Sequence, residues 1–415
     1  MSEWKEKTLG ELSIRVSSGL TPLKSNKKFW ENPSIPWLKT DQLGEKYIFD
    51  TNTKISKEAL EQTSLRIYPE NTISIAMYGE GKTRGNLSII KAPMTTNQAC
   101  CNIEIDPKLA DVEYVYYYLK TQYDALRKLS SGVRKNLNSN DIKNYKIYIP
   151  ESVRFQRSIV KILTSLDNKI SVNNQINQEL EAMAKTLYDY WFVQFDFPDQ
   201  NGNPYKSSGG KMVYNPELKR EIPEGWGVDS LWNIANFYNG LAMQKYRPDT
   251  NGDDYLPVIK IREMMNGFSK DTEKARLDIP IEAVVERGDI LFSWSATLEV
   301  IIWGKEKGAL NQHIFKVTSD TYPKSFIYFE LKSYLKVFKA IAELRKTTMG
   351  HITQDHLKQA KIVVPPIELI SKLDDNLQPI MLKQQILENQ NQELIQLRDW
   401  LLPMLMNGQV KVEKE

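Results

Sequence analysis

The chain has 415 residues, of which 41% are hydrophobic and 26% charged, with a formal net charge of +3 and two cysteines. That length allows two or three domains with real cores, and no apolar run approaches the roughly 20 residues that cross a bilayer. The charged start MSEWKEKTLGE is not a secretory signal, and adjacent Cys100 and Cys101 give neither a disulfide framework nor a zinc cluster, so a cytoplasmic protein with buried thiols is expected.

Positive charge gathers early: the balance is +5 over residues 1–150, +1 over 151–220, zero over 221–365 and −3 over 366–415. A nucleic-acid surface is permitted by these totals but not demanded.

In chain order, EWKEKTLGELSIRVSSGLTP is followed by a basic loop with Lys24, Lys27 and Lys28. IPWLKTDQL (Ile35 to Leu43) reads as a short strand ending in polar residues, and PENTISIAMY (Pro69 to Tyr78) as a turn and a buried strand. MTTNQACCNIEI carries an Asn97-Gln98 pair. A helical stretch from Glu113 to Leu129 follows, then a Gly-containing loop, a polar turn at Ser139-Asn140-Asp141 and a strand ended by Pro150.

From Val153 to Gln194 no Gly or Pro interrupts a heptad pattern: Ile159, Leu166, Asn173, Leu180, Leu187, with Ile162, Lys169, Ile176, Met183 and Tyr190 between them. The segment Gln194 to Trp226 is rich in Gly, Pro, Asn and Ser and reads as an irregular connector.

Then the order repeats. EGWGVDSLWNIANFYNGLAM answers EWKEKTLGELSIRVSSGLTP, LPVIKIREM answers IPWLKTDQL, and ERGDILFSWS answers PENTISIAMY. Asn311-Gln312 falls 214 residues after Asn97-Gln98. A helix from Phe326 to Leu344, a polar turn at Thr353-Gln354-Asp355 and a proline-ended strand come next. A second heptad series, Leu373, Ile380, Leu387, Leu394, Leu401, closes the chain, and Asn391-Gln392-Glu393-Leu394 repeats Asn177-Gln178-Glu179-Leu180 at the same offset of 214. The fold class expected is α+β: two similar globular domains and two long helices that pair as an antiparallel coiled coil, with a pseudo-two-fold internal repeat. The divisions are 1–150 first domain, 151–195 first long helix, 196–222 connector, 223–366 second domain, 367–408 second long helix and 409–415 tail.

Catalytic chemistry is missing from this pattern. AMYGEGKT (Ala76 to Thr83) ends like a phosphate-binding loop, but Ala76 replaces the first glycine, and a turn and strand follow where a helix should open. His313, His351 and His356 have no metal-spaced partner. There is no glycine-rich methyl-donor loop, and Pro365-Pro366 stands between Val364 and Ile367 rather than between a polar and an aromatic residue. No catalytic residue and no metal ligand is assigned.

IPWLKTDQL, the TNQAC segment, EIPEGW before the second domain and the two NQEL helices together resemble the specificity (S) subunit of type I restriction–modification systems, over essentially the whole chain. The resemblance implies two target-recognition domains, each reading one half of a bipartite, asymmetric site on double-stranded DNA. It implies a paired-helix spacer that carries two methyltransferase (M) subunits, with restriction (R) subunits added. S-adenosylmethionine, ATP and Mg would belong to those partners, leaving this chain non-catalytic, without a cofactor and without a membrane. Helices of about 42 residues would extend about 63 Å, or one to two turns of B-DNA at roughly 34 Å each. Asn173 in the seam either fixes register or marks a water-filled gap. The alternative from another class is a coiled-coil protein scaffold without DNA contact.

DNA contacts are expected from the loops. In the first domain Lys24, Lys27, Lys28, Gly81, Lys82 and Arg84 suit phosphates, while Lys39, Thr40, Asp41, Tyr78, Arg134, Lys135 and Asn136 suit base edges. The second domain offers Gln244, Lys245, Tyr246, Arg247, Lys260, Arg262, Ser293, Trp294, Thr297, Thr348 and His351. The two Asn-Gln pairs either bond bases or pin a turn, and pinning is the preferred reading, since both copies keep them although unlike targets are expected.

Overall fold

The structure is a computed structural model, and it describes residues 4–79, 83–129, 136–248, 254–344 and 351–410. The chain forms two compact units: Met1–Lys169 with Leu394–Glu415, and Ile170–Glu393.

In the first unit a five-stranded sheet runs in the order Ser13–Ser18, Cys100–Ile105, Thr72–Ala76, Leu87–Ile90, Tyr47–Ile48. Its middle strand, TISIA, is buried at every position, which explains why it reads as a continuous run rather than an alternation. A smaller sheet places Ile35–Leu38 between Lys54–Ile55 and Thr95–Thr96. The helix Val112–Thr121 begins at Asp111, whose carboxylate accepts from the main-chain N–H groups of Glu113 and Tyr114. The expected single helix to Leu129 is broken at Gln122, and Tyr123–Lys128 follows as a separate short helix. Ile73, Ile75, Ile103, Tyr114 and Leu119 form one core with Ile159, Leu163, Leu405 and Met406 of the long helices.

The second unit repeats much of this, with four strands in the larger sheet instead of five and four in the smaller instead of three. Asn236–Asn239, Ile314–Thr318, Ile290–Ser293 and Glu299–Ile302 follow the order of the first four strands of the larger sheet, antiparallel at each step. The parallel pairing of Trp37-Leu38 with Thr95-Thr96 returns as Val258-Ile259 with Ala309-Leu310. In each domain the first strand pairs with the last, Trp4 opposite Pro150 and Gly227 opposite Val364, so entry and exit lie together where a long helix departs. The helix Lys324–Leu344 sets Phe326 and Phe329 against Tyr188 and Phe338 against Phe292, in one core with Ala184, Leu373 and Leu377.

The long helices are Val153–Tyr188, continued by a π-helical turn Asp189–Val193, and Ile367–Met406. They pair antiparallel: Asp167 meets Arg398 in the first unit, and Asn173 meets Asn391 and Asn177 meets Gln384 in the second. Ile159, Asn173, Leu373, Ile380 and Leu387 are buried, and Leu166, Leu180, Leu187, Leu394 and Leu401 half-buried, in this seam. The companion series is a correction. Lys169, Ile176, Met183 and Tyr190 are exposed, and the seam is completed one residue later by Leu163, Ile170, Asn177, Ala184 and Trp191. Both series are mostly apolar, so heptad counting alone does not separate them. Ala184 shares one core with Phe326 and Phe329 of the domain helix.

The connector is also more ordered than its composition implies. Met212–Asn215 and Arg220–Pro223 form an antiparallel hairpin, and Phe197 stacks between Tyr205 at 4.6 Å and Trp226 at 5.0 Å. These aromatics, with Phe195 and Ile222, bury enough surface to fold a segment full of Gly, Pro and Asn.

Candidate nucleic-acid interface

One arrangement recurs at the end of the central strand in both domains. In the first, Met77 N–H donates to Ala99 O at 2.8 Å, and Met77 O accepts from Leu137 N–H at 3.1 Å. In the second, Trp294 N–H donates to His313 O at 3.3 Å, and Trp294 O accepts from Ile352 N–H at 2.8 Å. The residue after the strand thereby clips together the Asn-Gln turn and the loop that precedes the last short helix. A further bond fastens the turn to the small sheet: Asn97 N–H to Leu38 O at 2.9 Å, and Asn311 N–H to Ile259 O at 3.1 Å.

Two glycines make this approach possible. Gly19 N–H donates to Cys100 O and Gly240 N–H to Ile314 O, each at a point where the chain crosses the Asn-Gln turn. A Cβ at Gly19 would collide with the main-chain oxygens of Thr96 and Asn97, and at Gly240 with those of Leu310 and Asn311. Asn97 Oδ1 accepts from Ala99 N–H at 3.2 Å, and Asn311 donates to Gln312 Oε1 at 2.8 Å, so both asparagines hold the turn.

The clip brings together side chains that lie far apart in sequence. In the first domain exposed Tyr78 and Asn136 each adjoin a residue of the clip, Met77 and Leu137, with Lys39 and Thr40 following the strand that holds Asn97. In the second, Trp294 lies 5.6 Å from the ring of His313 and 6.4 Å from that of His351, and its indole N–H donates to Asn239 Oδ1 at 2.9 Å. His313 and Asn239 were not selected from the sequence. The available signal is that His313 follows Asn311-Gln312 where the first copy has Ala99.

The basic loop of the first domain is a 3₁₀ turn, Lys27–Phe29, pinned by Trp30 Nε1 to Leu23 O and Trp37 Nε1 to Leu20 O. Lys24, Lys27 and Lys28 are exposed and make no ion pair among the described residues. The corresponding turn of the second domain, Met243–Tyr246, exposes Gln244, Lys245 and, just beyond it, Arg247, with Tyr246 half-buried.

Other candidates are engaged elsewhere. Lys260 bonds Glu273 at 2.5 Å and holds its carboxyl below the usual carboxylate range, despite an opposing effect of burial. Arg262 bonds Glu263, which is 1% exposed, and Lys39 lies 3.5 Å from Asp41. Ser293 is a correction: it is fully buried, donating to Thr297 O and accepting from Glu299 N–H, because the strand ends in a tight turn that needs its hydroxyl. Thr297 on that turn is exposed, and Arg84 is half-buried. Gly81, Lys82, Arg134, Lys135 and Thr348 lie outside the described residues. Strand Leu87–Ile90 stands where a phosphate-binding loop would open a helix. Among the described residues no group of His, Cys, Asp and Glu is arranged to hold a metal. Cys100 and Cys101 are fully buried, and burial pushes both thiols up to about 12.

The model of the type I restriction modification DNA specificity domain matches residues 1–182 and 223–396. The specificity subunit of type I restriction enzyme MjaIX from Methanocaldococcus jannaschii is 29% identical over 432 residues, spanning 99% of this chain and 94% of its own. That of the HindI enzyme from Haemophilus influenzae is 22% identical over 99% of this chain and all of its own. The crystal structure of a type I system S subunit from M. genitalium superposes with a TM-score of 0.55 over 97% of this chain and 96% of that one, at 15% identity, a likeness of fold.

Proposed function

The chain belongs to the type I restriction modification DNA specificity family, and we propose that its two domains read the two unlike halves of an asymmetric, bipartite DNA target. It is the non-catalytic DNA sequence-specificity subunit of such a system, and modification or cleavage is the work of partner subunits. We take residues 1–150 and 223–366 as the readers, 151–195 and 367–408 as the spacer helices, 196–222 as a folded connector and 409–415 as a tail.

The observation that carries the reading is the recurring clip at Met77 and Trp294. The same main-chain bonds present Tyr78 and Asn136 in one domain but Trp294, His313 and His351 in the other. One frame with different side chains is what two unlike half-sites require, because sequence is read by base-edge contacts while phosphate contacts only position the protein. Lys24, Lys27, Lys28, Lys245 and Arg247 are the cations placed to meet phosphates. Lys260 and Arg262, neutralised by Glu273 and Glu263, are the weakest of the proposed contacts.

Methyltransferase subunits, two in number, dock on the spacer helices in this reading, and restriction subunits join them. Val172, Ile176 and Met183 on one helix and Leu382 and Ile386 on the other are exposed apolar side chains that support such docking. S-adenosylmethionine, ATP and Mg would be held by those partners. No helix among the described residues is long and apolar enough to cross a membrane.

The test compares methylated adenines across a host genome with and without this chain. One asymmetric two-part motif should disappear with it. Its persistence, or the loss of a palindrome, would refute the reading. Band shifts on that motif with the methyltransferase present should weaken steeply with salt.

A further inference from the structure

A second feature recurs in the two units, this time at positions the repeat does not relate. In the first unit Asp167 of the first long helix accepts from the Tyr117 hydroxyl on the domain helix and, at 3.1 Å, from Arg398 of the second long helix. Lys46 joins them, 2.7 Å from the Tyr117 oxygen, 3.5 Å from Asp167 and 2.8 Å from Glu113. In the second unit Glu181 of the first long helix accepts from the Tyr328 hydroxyl at 2.8 Å and from Gln384 of the second long helix at 3.2 Å.

Each unit therefore holds a carboxylate on the first long helix, bonded to a domain tyrosine and to an N–H donor of the second. The parts do not correspond in the repeat. Aligning Leu119-Lys120 with Leu331-Lys332 sets Tyr117 opposite Phe329 and Tyr328 opposite Tyr116. At the 214-residue offset Asp167 corresponds to Met381 and Glu181 to Ile395. Duplication alone does not place both carboxylates on one helix. Apolar packing already joins each domain to its helices, but it is non-directional, whereas a three-way set of charge-assisted hydrogen bonds fixes an angle.

We propose that Tyr117–Asp167–Arg398 and Tyr328–Glu181–Gln384 are positioning triads. Each fixes how its reading domain is carried on the paired helices, and together they set how strictly the gap between half-sites is measured. The proposal rests on the bipartite-target reading above. It assigns gap discrimination to named side chains as well as to helix length.

The experiment uses the full chain assembled with its methyltransferase subunits and duplexes carrying the mapped target with its native gap, one base pair less and one more. Asp167→Asn, Glu181→Gln and the milder Tyr117→Phe and Tyr328→Phe are compared with the parent. The ratio of Kd on altered-gap DNA to Kd on native-gap DNA should fall by about tenfold, about 1.4 kcal/mol, while base preferences within each half-site stay fixed. Unchanged ratios in variants of parental Tm overturn the proposal. So do altered base preferences with the gap ratio intact, which would place the triads in reading. A purely structural role would lower Tm and leave the ratio alone. If the parent itself ignores the gap, the bipartite reading fails first, and that outcome is visible before any variant is made.

Discussion

Asn173 donates its side-chain N–H to Asn391 Oδ1 at 2.9 Å in the interior of the helix pair, and Asn391 in turn donates to Asn174 at 2.8 Å. Asn173 also donates to Gln390 Oε1 at 2.9 Å. The layer is incompletely satisfied: Oδ1 of Asn173 and of Asn177 are buried without a partner among the described residues. Such a layer costs stability and repays it by penalising every register that separates the amides. Replacing Asn173 and Asn391 together with leucine should raise Tm, with a gain of about 1–2 kcal/mol. Cysteine pairs placed across the seam should then cross-link in more than one register. A single register in the double variant, or a lowered Tm, would remove the proposed role.

Gly240→Ala tests the clip from the other side. The added methyl has no room beside the Leu310 and Asn311 carbonyls, and backbone cannot yield as a flexible side chain would. A loss of about 1–3 kcal/mol is expected, read as a lower Tm and as failure to recognise one half-site. Gly19→Ala should do the same to the other half-site. If either variant binds both half-sites normally, the clip is not what holds the reading loops.

The repeat was legible because it is written in pairs that survive divergence: Gly19-Leu20 with Gly240-Leu241, and Asn97-Gln98 with Asn311-Gln312. Each turned out to hold main chain, which any pair of unlike readers must share. What the sequence hid was phase and partnership. Ile176 and Met183 look as suited to a seam as Ile170 and Ala184, and of these four only Ala184 enters the core shared with the neighbouring domain. Ser293 looks like a contact until the turn that consumes its hydroxyl is seen, and Lys260 looks free until Glu273 is beside it. Cations and hydroxyls are chosen by what they face, and that is a tertiary fact.

Glu330 gives a prediction in pH. It is buried in the second domain's core and accepts from the Tyr188 hydroxyl at 2.5 Å. Burial pushes its carboxyl up to about 7 from 4.5, against the opposing pull of Tyr188 and Arg220. Because the folded-state value is the higher one, its contribution is fully present below about pH 4.5 and is lost as pH rises toward 7. The loss can reach about 3 kcal/mol, at about 1.4 kcal/mol per unit. Glu330→Gln should leave Tm near the parent's at pH 4.5 and raise it above the parent's at pH 8. A gap that widens on acidification instead would reverse the sign and refute the assignment.

Trp294 and the Lys24, Lys27, Lys28 loop should separate reading from holding. Trp294→Ala removes the ring that gathers His313, His351 and the Asn239 carbonyl. It should weaken binding by about 1–3 kcal/mol and blur preference at one half-site, leaving the salt slope as it was. Lys27→Ala and Lys28→Ala should weaken binding equally on every sequence and reduce the salt slope by about one per charge removed. Anisotropy titrations across a salt series, with the methyltransferase subunits present, measure both quantities at once. The two classes must move different observables, since a counterion released from phosphate carries no sequence and an aromatic ring against a base edge releases no counterion. Should Trp294→Ala change only the slope, the clipped loops would lie along the backbone and the bases would be read elsewhere.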